Sequence, residues 1–154
     1  MQGVTEGEYK VRHLERDDFR RGYVEVLSQL TEVGNLTQER FDEILRLREQ
    51  LSDFYKTLVI EHVPSQQVVG SGTLLIEVKF IHEGASCGHV EDIVVHEAHR
   101  GKGLAKQLMS ALADEARAAK CYKVILDCNK SNVPFYEKCG YEERECTMRL
   151  NLSP

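Results

Sequence analysis

The spacing of apolar residues changes several times along the chain, from period two to the helical three-to-four step and back. After a polar end at residues 1–8, Tyr9-Lys10-Val11-Arg12-His13-Leu14 alternates as an edge strand does. Asp17 or Asp18 is placed to cap a first helix, whose Phe19, Tyr23, Val26, Leu27 and Leu30 make one apolar face up to about Gly34. Thr37 predicts the cap of a second helix, in which Phe41, Ile44, Leu45, Arg48 and Leu51 carry the periodicity to about Ser52. Thr57 to Val63, Val68 to Phe80 and His89 to Val95 then read as strands, separated by a Pro64-Ser65-Gln66-Gln67 turn and a Gly84–Gly88 loop. Connections this short predict an antiparallel meander. Gly70 and Gly72 inside the second of these strands predict a bulge or a close backbone approach.

A third helix, from about Gly103 to Ala119, sets Leu104, Leu108, Leu112 and Ala116 in one row with Ala105, Met109 and Ala113 beside it. Cys121 to Cys128 follows as a strand. Ser131 or Asn132 opens a short helix to Lys138 capped by Gly140, and Glu145 to Leu152 closes the chain as a strand. Strand, helix and strand in succession make a βαβ crossover and so some parallel pairing. The expected class is α/β: a mixed, mostly antiparallel sheet flanked by helices on both faces, in one domain over residues 1–154.

Composition narrows the function. The net charge of −5, without a run of Lys and Arg, speaks against nucleic-acid binding. Five cysteines, odd in number and without Cys-x-x-Cys spacing, in a chain with no evident signal peptide, predict a reducing, cytoplasmic setting. Apolar runs fall far short of the roughly 20 residues of a membrane span, so a soluble protein without membrane contact is expected. Internal repeats and low-complexity segments are not evident.

The stretch Glu91 to Ala105 holds the most specific chemistry. A β-branched run leads through a polar turn to Gly101 and Gly103 and then into a helix. Glycines there let a ligand approach the backbone, and the free N–H groups of the helix start favour an anion. Arg100, Lys102 and Lys106 add positive charge. Neither Gly-x-Gly-x-x-Gly nor a terminal Gly-Lys-Ser/Thr is present. Arg100-Gly101-Lys102-Gly103-Leu104-Ala105 instead resembles the pyrophosphate-binding turn of the GNAT superfamily of N-acetyltransferases, which implies acetyl-CoA as cosubstrate.

Four further stretches narrow the resemblance. Leu30-Thr31-Glu32-Val33-Gly34, Cys87 to Ile93, Cys121 to Cys128 and Phe135 to Tyr141 are similar to the glucosamine 6-phosphate N-acetyltransferase family, over about Tyr9 to Leu152. That resemblance implies acetyl transfer to the amine of an amino-sugar phosphate, for UDP-N-acetylglucosamine biosynthesis. It implies coenzyme contacts from Ile93, Val94, Val95, from Arg100, Gly101, Lys102, Gly103, Leu104, Ala105 and Lys106, and from Tyr136, Glu137 and Lys138. It also implies that the strand Glu91 to Val95 bulges, freeing N–H groups near Ile93 and Val95 for the thioester oxygen. Asp127 stands as the group that holds or deprotonates the amine, or else as a plain strand-end turn residue. Tyr136 stands as the proton donor to the departing sulfur, or else as a core aromatic beside Phe135.

Glu91 and Asp92 complete the catalytic set; as strand neighbours they are expected on opposite faces. Sugar contacts are implied from Glu91, Asp92, Ile93, Asp127, Tyr122 and Thr31, the last also readable as a bland linker residue. Lys79, His82, Lys123 and Arg149 are the candidate cations for the phosphate. The family also implies a homodimer, in which the last strand crosses to its partner and Cys146, Met148, Leu150 and Leu152 face a shared core. No metal is expected: His82, Cys87 and His89 match no familiar ligand spacing, and the sequence offers them no evident acidic partner. Cys128 and Cys139 read as small core residues, which favours direct transfer in a ternary complex over an acyl-enzyme. Two other functions fit the same cradle: acetylation of another amine, such as a polyamine or a protein N-terminus, and non-catalytic coenzyme A binding.

Overall fold

The β-branched segments pair as a meander, and the computed structural model, which describes residues 7–153, builds a five-stranded sheet on them. The strands β1 (Tyr9–His13), β2 (Tyr55–His62), β3 (Gln67–Val78), β4 (Ser86–Val95) and β5 (Cys121–Ile125) stand in that order. Neighbours are antiparallel except β4 and β5, which are parallel. The helices are α1 (Tyr23–Ser28), α2 (Gln38–Gln50), the single turn α3 (Ile81–Gly84), α4 (Leu104–Ala118) and α5 (Val133–Lys138). The expected polar end falls largely on residues 1–6, outside the described residues.

Two apolar layers fix these helices on opposite faces. On one, the row Leu104, Leu108, Leu112 and Ala116 of α4 packs on Leu58, Ile60, Leu74, Ile76, Val90 and Val95. On the other, Tyr23 and Val26 of α1 and Phe41 and Leu45 of α2 cover Val59, Val68 and Val94. Each fully buried leucine of the α4 row contributes about 2 kcal/mol. Because α4 connects β4 to β5, it forces their parallel pairing and places its own N-terminus directly after β4.

Three elements differ from the sequence expectation. The first helix is split: a 3-10 turn, Arg16–Arg20, precedes α1, with Gly22 at φ 89° between them, and α1 ends at Ser28 rather than near Gly34. Asp18 does not cap α1 but closes the capping box of the 3-10 turn: buried, it accepts the Glu15 N–H at 2.8 Å and hydrogen bonds from both terminal nitrogens of Arg12 at 2.8 Å. The β1 guanidinium, also bonded to Glu61 at 2.7 Å, has drawn that carboxylate inward. Thr37 does cap α2, its hydroxyl accepting from the Arg40 N–H at 3.1 Å. The strand after α4 stops at Ile125, because its pairing with β4 stops there. Glu145 to Leu152 forms no strand: a strand requires an edge to pair with, and this segment pairs with none among the described residues, leaving Met148, Leu150 and Leu152 more than four-fifths exposed.

The feature with the largest consequence lies in β4, where the bulge that the resemblance implies is present. Thr73 pairs with Glu91, yet the next pair along is Ser71 with Val94, so Asp92 and Ile93 together oppose Gly72. Asp92 takes φ 55°, the left-handed region that such a bulge needs. Alternation therefore slips by one: Val90, Ile93 and Val95 all join the α4 layer. Glu91 and Asp92 fall consecutively on the other face, which corrects the expectation that they diverge. Gly72 makes room for this, since a Cβ there would lie 2.5 Å from the Ile93 Cδ1 and 3.1 Å from Leu112. Gly72→Ala is expected to displace Ile93 and cost about 1–3 kcal/mol, readable as a lowered denaturation midpoint with an unchanged slope.

Candidate active site

β4 runs straight into the cradle. After Val95 come a 3-10 turn (Glu97–His99), Arg100, and then Gly101 and Gly103 at φ 79° and 75°. A Cβ on either glycine would meet nothing within 4 Å, so the space over the turn is open to a ligand. Glycine at the N-cap of α4 leaves its first-turn N–H groups without a side-chain acceptor. Arg100 donates its Nε to the Val95 carbonyl at 2.9 Å and so pins the turn to the strand. Lys102 instead turns back to β1: its Nζ lies 3.0 Å from the Tyr9 hydroxyl, which is 2.8 Å from His99 Nδ1. Leu104 is buried, while Ala105 is half-buried and Lys106 exposed on the first turn of α4.

Next to the cradle the sheet opens. The β4–β5 ladder ends at His89 with Ile125, and beyond it lies a cleft of about 680 Å³. Register explains its walls. On the face away from α4, Glu77, Cys87 and Lys123 form one cross-strand row and Leu75, His89 and Ile125 the next. One step further, Thr73 and Glu91 continue the pattern, and Asp127 stands across the opening where a β5 partner would have been. Tyr136 and Glu137 of α5 close the cleft. His96 donates its N–H to the Val69 carbonyl on β3 at 2.8 Å, so the Val95 N–H, one residue earlier, faces the opening.

The electrostatics suit proton traffic. Burial pushes the Glu91 carboxyl up, and the negative charges of Asp127 and Asp92 push it further. Burial likewise pushes the Tyr136 phenol up, with Cys128, Cys139 and Asp127 adding to it, so this hydroxyl keeps its proton. A cationic amine satisfies the paired carboxylates, and a protonated phenol can supply a proton to a leaving group. Asp92 lines a separate cavity of about 150 Å³, with Tyr23, Arg48, Ser71 and Thr73.

The cleft thus brings together Glu91, Asp127, Lys123, Tyr136 and Glu137. Other sequence candidates stand elsewhere in the single chain. Thr31 is exposed after α1, its N–H bonded to the Leu27 carbonyl at 3.2 Å. Lys79 pairs with Glu77 at 3.2 Å, and the His82 ring lies 4.4 Å from that of Tyr122. Arg149 sits on the exposed tail, Lys138 is exposed on α5, and Ile93 turns its side chain into the α4 layer. Sequence reasoning passed over His89, Leu126 and Cys128 as cleft walls. Counting back two residues from Glu91 would have found His89. Cys128 is exposed rather than core. Glu77, 2.9 Å from His89 Nε2, is the acidic partner that sequence spacing did not reveal.

The sequence profile of the acetyltransferase (GNAT) family matches residues 9–141. The chain belongs to the GNAT family. Among GNAT proteins it is 40% identical over 140 residues to the glucosamine 6-phosphate N-acetyltransferase of Arabidopsis thaliana, covering 91% of this chain and 94% of that one. It is also 40% identical over 152 residues to glucosamine 6-phosphate N-acetyltransferase 1 of Dictyostelium discoideum, covering 99% and 96%. The crystal structure of the Arabidopsis thaliana enzyme matches with a TM-score of 0.92 at 39% identity, over 94% of this chain and 99% of that one.

A GNAT cleft with a raised carboxyl makes a stability prediction. Folding raises the Glu91 pKa, so the folded state binds this proton more tightly than the unfolded chain does. The benefit is full below the ordinary glutamate pKa of about 4.3 and is lost as pH rises through the raised value. Glu91→Gln, which cannot ionise, should therefore melt about 2 °C above the native protein at pH 7.5, with the gap closing near pH 4. Thermal melts across pH check this, and a gap independent of pH would contradict it.

Proposed function

We propose that this GNAT protein transfers the acetyl group of acetyl-CoA to the 2-amine of D-glucosamine 6-phosphate, giving N-acetylglucosamine 6-phosphate, a precursor of UDP-N-acetylglucosamine. One observation carries the reading: two facing carboxylates, Glu91 and Asp127, and the protonated Tyr136 meet in a cleft beside the cradle, in a chain collinear with relatives of that name.

In this reading the coenzyme pyrophosphate rests on the N–H groups of the turn from Arg100 to Lys106. The pantetheine arm enters between β4 and β5, putting the thioester oxygen near the Val95 N–H. The sugar amine arrives as an ammonium, is held between Glu91 and Asp127, and loses its proton to Asp127. The free amine attacks the carbonyl, the β4 amide stabilises the oxyanion, and Tyr136 gives its proton to the departing thiolate. Direct attack in a ternary complex is supported because, among the described residues, no hydrogen bond joins Cys128 to His89, the histidine lining the cleft, whose Nε2 meets Glu77.

The phosphate cations are completed by dimerisation. Lys123 already lines the cleft, and the exposed alternation of Met148, Leu150 and Leu152 supports pairing of the tail with a second protomer, bringing Arg149, and with it Thr31, Lys79 and His82, to shared sites. A cytoplasmic setting is supported by five unpaired cysteines. No helix of the described residues is long and apolar enough to cross a membrane.

Purified protein with acetyl-CoA should release free thiol with glucosamine 6-phosphate, and far less with glucosamine or spermidine. Release with spermidine instead would move the substrate to a polyamine; coenzyme binding without release under any amine would leave a binding module. Asp127→Asn should lower kcat by about 10²–10⁴ and Tyr136→Phe by at least about tenfold, each with the acetyl-CoA KM changed less than threefold. Sedimentation equilibrium should give twice the chain mass of 17.6 kDa, falling to the single mass when the chain is cut after Glu145.

A further inference from the structure

One cluster of side chains has no part in the acetyl-transfer chemistry. Glu77 on β3 stands directly opposite Cys87 on β4, and His89, two residues along, falls on the same face. One ligand atom from each of the three, a carboxylate oxygen, Sγ and an imidazole nitrogen, lies within 4.8 Å of the other two. Glu77 divides its oxygens: Oε2 meets Lys79 Nζ at 3.2 Å, while Oε1 meets His89 Nε2 at 2.9 Å. The buried Cys87 thiol has a weak contact, 3.7 Å to the Gly88 carbonyl, yet it converges on the Glu77–His89 pair.

We propose that Glu77, Cys87 and His89 form a binding site for Zn²⁺. Sulfur, imidazole nitrogen and carboxylate oxygen together are the donor set of a borderline-soft divalent ion. Ligand bonds of about 2.0–2.3 Å put the donors of a tetrahedral site roughly 3.5 Å apart, so donors that lie within 4.8 Å of one another have to draw together on binding. Two hydrogen-bonded strands hold the three ligands in fixed register, which removes most of the ordering cost of a site built on loops. The ion takes the place of the hydrogen bond between Oε1 and Nε2. Cys87 binds as thiolate and its proton passes to solvent. With three protein ligands, the fourth position is left to water. Lys79 and Lys123, the latter opposite Cys87 on β5, are the nearby cations that oppose the charge of the ion, and they set an affinity below that of an all-cysteine site.

Co²⁺ is the probe, since its thiolate complexes absorb in the near ultraviolet. Chelator-treated full-length protein titrated with Co²⁺ should show a saturable charge-transfer band at one ion per chain, abolished by Zn²⁺. His89→Gln, at the half-buried wall of the cleft, and Glu77→Gln, on the surface, keep the size and polarity of each site and should each weaken binding at least tenfold, and Cys87→Ser should remove the band. Should the buried Cys87→Ser protein fail to fold by circular dichroism, the other two variants decide. Absence of a saturable band, or a band of equal strength in His89→Gln and Glu77→Gln, which would place cobalt on other thiols, overturns the site.

Discussion

A strand that keeps its ladder on both edges has no amide groups left for a ligand, and β4 escapes this constraint by carrying one residue too many. The pair Asp92 and Ile93 against Gly72 lets the β3 side of the strand stay bonded while the other edge, past His89, turns away from β5. The cleft, the outward Val95 N–H and the aim of α4 at the end of the strand all depend on that local mismatch. Its cost is a left-handed aspartate and a forbidden Cβ at position 72.

The same slip explains the charge pattern. Two adjacent acidic residues on one face would repel in an ordinary sheet, but here Glu91 and Asp92 are steered into different cavities, and Glu91 meets Asp127 across the opening. Such an arrangement is unfavourable without a cation between the carboxylates. In the proposed reaction the substrate ammonium sits between the two carboxylates and relieves this repulsion.

Much of this was legible in the sequence, wherever a local pattern and a buried layer agree. The α4 row, the Thr37 cap, the meander and the glycine cradle are each written in a few consecutive residues. Gly72 marked a close backbone approach and the family resemblance a bulge on Glu91 to Val95, yet neither said that Glu91 and Asp92 would then share a face, because alternation is lost by a register shift of β4 against β3. Glu77 with His89 stayed hidden for a related reason, since cross-strand partners twelve residues apart leave no periodic trace. The tail shows the opposite failure. Alternation from Cys146 to Leu152 is a strand signal, and among the described residues no edge pairs with it. Asp18 does serve a helix start, since its carboxylate accepts the Glu15 N–H in the capping box of the 3-10 turn, but the pattern gave no sign that Arg12 would hold the same carboxylate.

The bond from Tyr9 to His99 and Lys102 spans 90 and 93 residues of sequence. Contacts of that separation close late, after the loop entropy between them has been overcome by packing. The glycine turn is thus anchored to the first strand, at the far edge of the sheet. During synthesis β1 emerges from the ribosome long before the residues it will steady. A nascent chain has to store that strand unpaired until β2 arrives, and its glycine turn becomes rigid only after most of the chain has emerged.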